Sequence, residues 1–172
     1  MKKILCVLMA CMLLAITGCN GHSKNLKFGA ADIGGMYYSF ASTFTQLADK
    51  EIDGYTFETR TTAGSVANLR LISDGYIDLA IVQADLLSDA YNATGAFTDK
   101  KYQKGYKAVA SLYTEACQIV VRNDSGITSV DDLINKTVSV GASESGTEKN
   151  AEQILKMSGI ADELINKVNM DY

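Results

Sequence analysis

The residues able to do chemistry in this 172-residue chain are few, and their spacing argues for binding rather than bond-breaking. The single histidine, His22, sits in a short polar stretch near the N-terminus, so no Ser-His-Asp or Cys-His arrangement can be built around an oriented imidazole. No cluster of His, Cys and carboxylates has ligand spacing, and Asp131-Asp132 reads as a pair of helix-start acids rather than metal ligands. What recurs is a strand, a turn rich in Gly, Ser and Thr, and then a helix. Thr59-Arg60-Thr61-Thr62-Ala63-Gly64-Ser65 precedes a helix containing Asn68, and Gly141-Ala142-Ser143-Glu144-Ser145-Gly146-Thr147 precedes one containing Asn150. A weaker case is Asp32-Ile33-Gly34-Gly35 ahead of Tyr37 and Tyr38.

Such turns leave the first N–H groups of a helix without partners and aimed along its axis. Glycine lets a ligand approach that backbone closely, and small hydroxyls add directional donors, so a carboxylate fits there. In open α/β sheets ligands bind beyond the carboxyl ends of the strands, where these turns fall. Ser65 and Ser145 also serve as plain helix caps, and one turn alone would argue for stability only. Two such turns in separate regions argue for two walls of one cleft. Arg60 and Arg122, each at a strand end, are candidates either to clamp a carboxylate or to play a structural part. Tyr37 and Tyr38, about 100° apart on a helix, are expected to divide between cleft and core.

The elements that must hold these turns follow from hydrophobic period. Leu26 to Ala30 is a short strand candidate, and Tyr37, Phe40, Ala41, Phe44, Leu47 and Ala48 mark one face of a helix from Met36 to Asp49. Tyr55 to Arg60 alternates as a strand does; Val66, Leu69 and Ile72 mark a second helix ending near Gly75; Ile77 to Val82 is apolar throughout, as a strand covered on both faces is. A helix from Ala84 to Tyr91 and a polar loop lead to two apolar strand candidates, Ala108 to Leu112 and Ala116 to Arg122, separated by Tyr113-Thr114-Glu115. Ser129 to Asp132 opens a one-turn helix, Thr137 to Val140 is a strand, and Ser145-Gly146-Thr147-Glu148 is a capping box opening a helix that stops near Gly159. A further strand is expected to begin at Met170 to Tyr172. The alternation is that of an α/β fold. The second region holds little more than one strand and one helix, too small a sheet to cover its own faces, so the chain reads as the N-terminal part of a longer protein.

The N-terminus carries an address. Lys2 and Lys3 precede an apolar stretch from Ile4 to Ile16, shorter than the roughly 20 residues a membrane-spanning helix needs, and a polar segment follows. This is the layout of a cleaved secretory signal. Ile16-Thr17-Gly18-Cys19 resembles the bacterial lipobox, which implies a signal peptide over residues 1–19, lipidation of Cys19 and attachment of the mature chain to a membrane surface. Residues 20–25 then form a tether. With Cys6 and Cys11 removed and Cys19 acylated, Cys117 stands alone, no disulfide framework is possible, and its apolar neighbours predict a small buried hydrophobe. The 16 basic and 20 acidic side chains are interspersed, giving a net charge of −4 and no clustered basic face for nucleic acid.

Four motifs carry a family resemblance. Gly34-Gly35-Met36-Tyr37-Tyr38, Thr62-Ala63-Gly64-Ser65-Val66-Ala67-Asn68-Leu69-Arg70-Leu71, Asp78-Leu79-Ala80-Ile81-Val82-Gln83-Ala84-Asp85, and Val138-Ser139-Val140-Gly141 through Ser145-Gly146-Thr147 together resemble the TAXI family, the solute-binding subunits of tripartite ATP-independent periplasmic (TRAP) transporters. The resemblance implies a type II periplasmic-binding-protein-like fold of two lobes with flanking helices, lobe one over residues 26–115 and an incomplete lobe two over 116–172. It implies no cofactor and no catalysis, a small organic acid or amino acid, glutamate-like in some members, as ligand, and an ion-driven TRAP permease as membrane partner. By position it carries ligand contact to Gly35, Tyr37, Thr62, Gly64, Ser65, Asn68, Gln83, Ser145, Gly146 and Thr147. Met36 stands where a threonine is usual, Ala63 where a glycine is usual, and Ser143-Glu144 where a proline-glycine-like step is common; Glu144 at the cleft edge is expected to repel a second carboxylate or attract an ammonium. The rival readings are an enzyme on the same fold and a surface-exposed sensory or interaction protein.

Overall fold

The first half of the chain is built around one parallel ladder. A computed structural model describes residues 24–99 and 105–170; the stretch read as a signal, with Cys6, Cys11 and Cys19, the histidine His22 and the final residues Asp171 and Tyr172 lie outside the described residues. Strand β1 (Lys24–Gly29) pairs in parallel with β2 (Tyr55–Arg60), from Lys24 opposite Tyr55 to Gly29 opposite Arg60, and on its other side with β3 (Leu79–Ala80). The spatial order is β2-β1-β3. β1 begins at Lys24 rather than Leu26 because Lys24 and Asn25 extend the ladder beside Tyr55 and Thr56. β3 is shorter than its apolar run, but Asp78 N–H donates to the Lys27 carbonyl (2.9 Å) and Ile81 N–H to that of Gly29 (3.2 Å), so the flanks of Leu79–Ala80 stay tied to β1.

Helices close the crossovers between these strands, as parallel pairing requires. Helix α1 (Met36–Glu51) buries Ala41, Thr45 and Ala48, a spacing of four and three that makes one stripe. That stripe lies on β1 and β2: the Thr45 and Thr59 hydroxyls are 2.9 Å apart, and Phe44 meets Phe28 edge-on with centroids 5.4 Å apart. Helix α2 (Ser65–Ser73) and helix α3 (Ala84–Asn92) pack through Val66, Leu69, Leu86 and Ala90, a cluster capped by Phe97 at 1 % exposure. Phe28, Ala30, Ala41 and Ile81 form the core between α1 and the sheet.

The second unit pairs β4 (Thr137–Ser139) in parallel with β5 (Asn166–Val168), and helix α4 (Gly146–Met157) crosses between them. Leu133, Leu155, Ile160 and Ile165 make its core. Its turn chemistry follows from the capping residues. The Asp132 carboxylate accepts from the backbone N–H groups of Thr128 and Ser129, both at 2.9 Å, and opens the short 3-10 turn Asp131–Leu133. Ser145 Oγ accepts from the Glu148 N–H at 2.9 Å, as a capping box predicts, but the Glu148 carboxylate reaches one residue further back than expected, to the N–H of Glu144.

Two expectations fail between these units. Residues 108–112 and 116–122 form no strand, and the run is exposed throughout, with Val109 at 89 % and Val120 at 87 %. An apolar run becomes a strand only where another backbone lies in hydrogen-bonding reach, and residues 105–113 face β3 across a hollow of about 1100 Å³ instead of lying beside it. Cys117 is exposed for the same reason, not a buried hydrophobe: the face its side chain was expected to pack into is not built over this run.

Candidate functional site

Three strand-to-helix turns converge on one cavity of about 500 Å³. The first turn presents Gly35 at the start of α1, with its N–H bonded to the Asp32 carbonyl (3.1 Å), and Tyr37 as the second residue of that helix. The second presents Thr61 to Ser65 at the start of α2, and the third Ser145 to Thr147 at the start of α4, with Gln83, the residue before α3, closing the side. Nine of the ten residues matched by position line this cavity: Gly35, Tyr37, Thr62, Gly64, Ser65, Gln83, Ser145, Gly146 and Thr147.

Each turn is held in shape by its own polar groups. Thr62 Oγ1 donates to the Ala30 carbonyl (3.0 Å) and accepts from the Gly64 N–H (3.3 Å). Ser65, 1 % exposed, does not cap α2 with its side chain; its Oγ accepts from the Gln83 N–H at 3.1 Å and so ties the α2 turn to the start of α3. Gly64 is at φ +119°, where a side chain is strained, and a Cβ there would lie 3.2 Å from the Ser145 Cα. Across the same seam a Cβ on Gly146 would overlap the Gln83 amide. At Gly64 the second and third turns meet backbone to backbone, whereas at Gly146 the obstacle is the end of the Gln83 side chain.

Asn68 is the exception. It is fully buried and absent from the cavity wall, and its amide nitrogen donates to the carbonyls of Ala30 (2.6 Å) and Ile81 (2.9 Å). Its place in the motif positions β1 and β3 against α2, which aims the turn that Gly64 and Ser65 make. Tyr37 and Tyr38 do not divide between cleft and core as expected: both pack on the core beside α1, and Tyr37 also reaches the cavity.

Sequence reasoning missed Glu115. It lines the cavity, and its Oε2 accepts from the Tyr37 hydroxyl at 2.9 Å. Burial first, and the Glu115 charge beside it, push the Tyr37 phenol well above its ordinary range, so it stays a neutral donor. The only signal for Glu115 was its place as a carboxylate interrupting two apolar runs. Conversely, Glu144 does not line the cavity. Its side chain is taken by Arg70 of α2, both guanidinium Nη atoms meeting both carboxylate oxygens, and its backbone, at φ +65°, turns the carbonyl toward the Ala67 N–H (3.2 Å). Glu115, and not Glu144, is the glutamate on the cavity wall.

The two candidate clamps also lie elsewhere. Arg60 pairs with Glu58 at 2.8 Å and Arg122 lies 3.6 Å from Asp124, both in solvent and off the cavity wall. Among the described residues no group of three or more His, Cys, Asp or Glu could hold a metal ion, and no helix is long and apolar enough to cross a membrane. Residues 28–172 match the model of the NMT1-like family.

Proposed function

The chain belongs to the NMT1-like family, part of the periplasmic-binding-protein-like group, and on that premise we propose that it is an extracytoplasmic solute receptor of a TRAP-type secondary transporter. The family carries a solute-binding role in general, with a small-molecule ligand, and its members are usually extracytoplasmic. The observation that carries the reading is the meeting of two Gly-Ser turns, each opening a helix, over one cavity of about 500 Å³. Free N–H groups at such starts, backed by Ser and Thr hydroxyls, suit a carboxylate without any catalytic group.

In this reading the β1–β3 unit is lobe one and the β4–β5 unit the start of lobe two of a type II binding protein. The ligand is a small organic acid or amino acid, glutamate-like where the TAXI resemblance holds, contacted by Gly35, Tyr37, Thr62, Gly64, Ser65, Gln83 and the Ser145-Gly146-Thr147 turn. Closure adds contacts available only when both units meet the solute, a shift of population toward the closed form. A lipid on Cys19, after removal of residues 1–19, keeps the receptor beside its permease.

A thermal-shift screen against amino acids and small organic acids tests the binding claim. A concentration-dependent rise in Tm with at least one of them supports it, and no rise with any refutes it. Uptake of that solute by cells carrying the cognate permease, lost when Cys19 is replaced by alanine, tests the anchored-receptor claim.

A further inference from the structure

The third cavity turn is held from behind by a buried carboxylate. Glu148 is 7 % exposed and lies three residues past the Ser145 cap of α4. Its Oε2 accepts from the Glu144 N–H at 2.9 Å and lies 3.5 Å from the Lys149 ammonium, and its Oε1 accepts from the Asn169 amide at 2.8 Å. The same Asn169 Nδ2 donates to the Gly141 carbonyl at 3.0 Å, a carbonyl that also takes the Met170 N–H at 3.3 Å. Residues 141 and 144, at the two ends of the bend into α4, are thus fastened through one pair of side chains to the chain leaving β5. The bend packs on the turn it precedes: Gly141 is at φ +90°, and a Cβ there would lie 2.8 Å from the Thr147 Cβ. Beyond the bend, the N–H groups of Gly146 and Thr147 have no partner among the described residues, as the first turn of a helix leaves them.

A carboxylate carries a penalty at this place. Its charge lies close to N–H groups suited to an anion, and Coulomb repulsion lowers that anion's affinity. What a carboxylate supplies is two acceptor oxygens at once. An amide supplies one, so Glu148→Gln would turn an NH2 group toward either the Glu144 N–H or the Asn169 Nδ2. Asn169 has no answering flip, because its oxygen would then face the Gly141 carbonyl.

Resting on the solute-receptor reading above, we infer that Glu148 and Asn169 are positioning residues for the ligand: together they set the 141–145 bend so that α4 presents the N–H groups of Gly146 and Thr147 to a bound carboxylate. Neither side chain lines the cavity, so both act through the backbone they hold.

Two measurements on the intact chain test this. Amide exchange by NMR, with no solute present, should show the Glu144 N–H exchanging about tenfold faster or more in Glu148→Gln, with the α1 amides unchanged. Isothermal titration calorimetry with L-glutamate, and with the acid that raises Tm most in the screen above, should give about tenfold weaker binding in Glu148→Gln and about threefold in Asn169→Ala. The double variant should lose less than the product of the two. Asn169 is exposed, so Asn169→Ala carries the test should Glu148→Gln fail to fold. Ile160→Val thins the core of the same unit away from the cavity, controls for lost stability alone, and should bind as the unaltered chain does. Unchanged or tighter binding in folded Glu148→Gln, as loss of a repelling charge alone predicts, would overturn the inference and leave the receptor reading standing. So would an equal loss in Ile160→Val. Unchanged exchange at Glu144 would overturn it with or without a solute. Silence from every acid in the screen would remove the receptor reading, and this inference with it.

Discussion

Arg70 on α2 holds Glu144, the residue before the α4 cap, through both guanidinium nitrogens, and so ties the three-stranded unit to the two-stranded one beside the cavity rather than inside it. The pair is partly exposed, at 30 % and 36 % for the two side chains, and its strength is moderated by solvent. Arg70→Met keeps the aliphatic stem and removes the charge. It should lower stability by about 1 kcal/mol, with a double-mutant cycle against Glu144→Gln returning most of that as coupling, and the coupling should shrink in high salt. Urea denaturation at two ionic strengths measures both.

Asn68 should behave as a structural residue. Asn68→Leu strips the donor from the Ala30 and Ile81 carbonyls in a site with no solvent access. Leaving those carbonyls short should cost about 2–4 kcal/mol, read as a lower midpoint in chemical denaturation. Affinity measured well below the new melting temperature should fall less than it does for Gly64→Ala, whose site is on the cavity wall.

Gly64 lies where both strain and space forbid a side chain. Gly64→Ala must either hold a Cβ at φ +119° or push the Ser145 backbone away, at a cost of about 1–3 kcal/mol. Because the displaced backbone is the cavity wall, ligand affinity should fall with stability, and a Gly64→Ala protein of unchanged affinity and Tm would contradict the backbone-to-backbone seam.

Ser145 caps α4 with its hydroxyl on the Glu148 N–H. Ser145→Ala should cost about 1 kcal/mol, whereas Ser145→Thr keeps the oxygen and should recover most of it. Thermal denaturation of both variants checks the cap.

Asp132 sets an acid limit. Hydrogen bonds from the Thr128 backbone first, then from the Ser129 hydroxyl and backbone, hold its carboxyl down to about 2. A folded pKa below the unfolded one stabilises above the unfolded value, near 4, and the contribution is lost as pH falls from there through about 2. Asp132→Asn should therefore flatten the acid limb of the stability curve between those values and leave neutral-pH behaviour of the cavity untouched. NMR titration of the carboxyl resonance gives the pKa directly.

Local features of this protein were legible in its sequence wherever one segment decides its own fate. Helix α1, the extent of β2 over Tyr55–Arg60 and the Ser145 cap depend on periods and neighbours a few residues away and are present, although the buried stripe of α1 runs through Ala41, Thr45 and Ala48 while Phe44 and Leu47 stay exposed, and β2 does not alternate in burial. The Gly-Ser turns were legible too, because positive φ and helix starts favour few residue types. Long-range facts were not. Whether 108–122 pairs depends on a backbone elsewhere, and its apolar composition cannot supply that partner. The places of Asn68 and Glu115 were hidden for the same reason: a side chain's spacing says which way it points from its own helix or loop, but only the packed chain says that Ala30 and Ile81 stand in front of Asn68, and Tyr37 in front of Glu115. The sequence alone determined that this chain makes helix-start turns suited to an anion; tertiary structure decided that those turns face one another and that the charge between them is negative. Electrostatics depends on distance through space, which sequence order does not record.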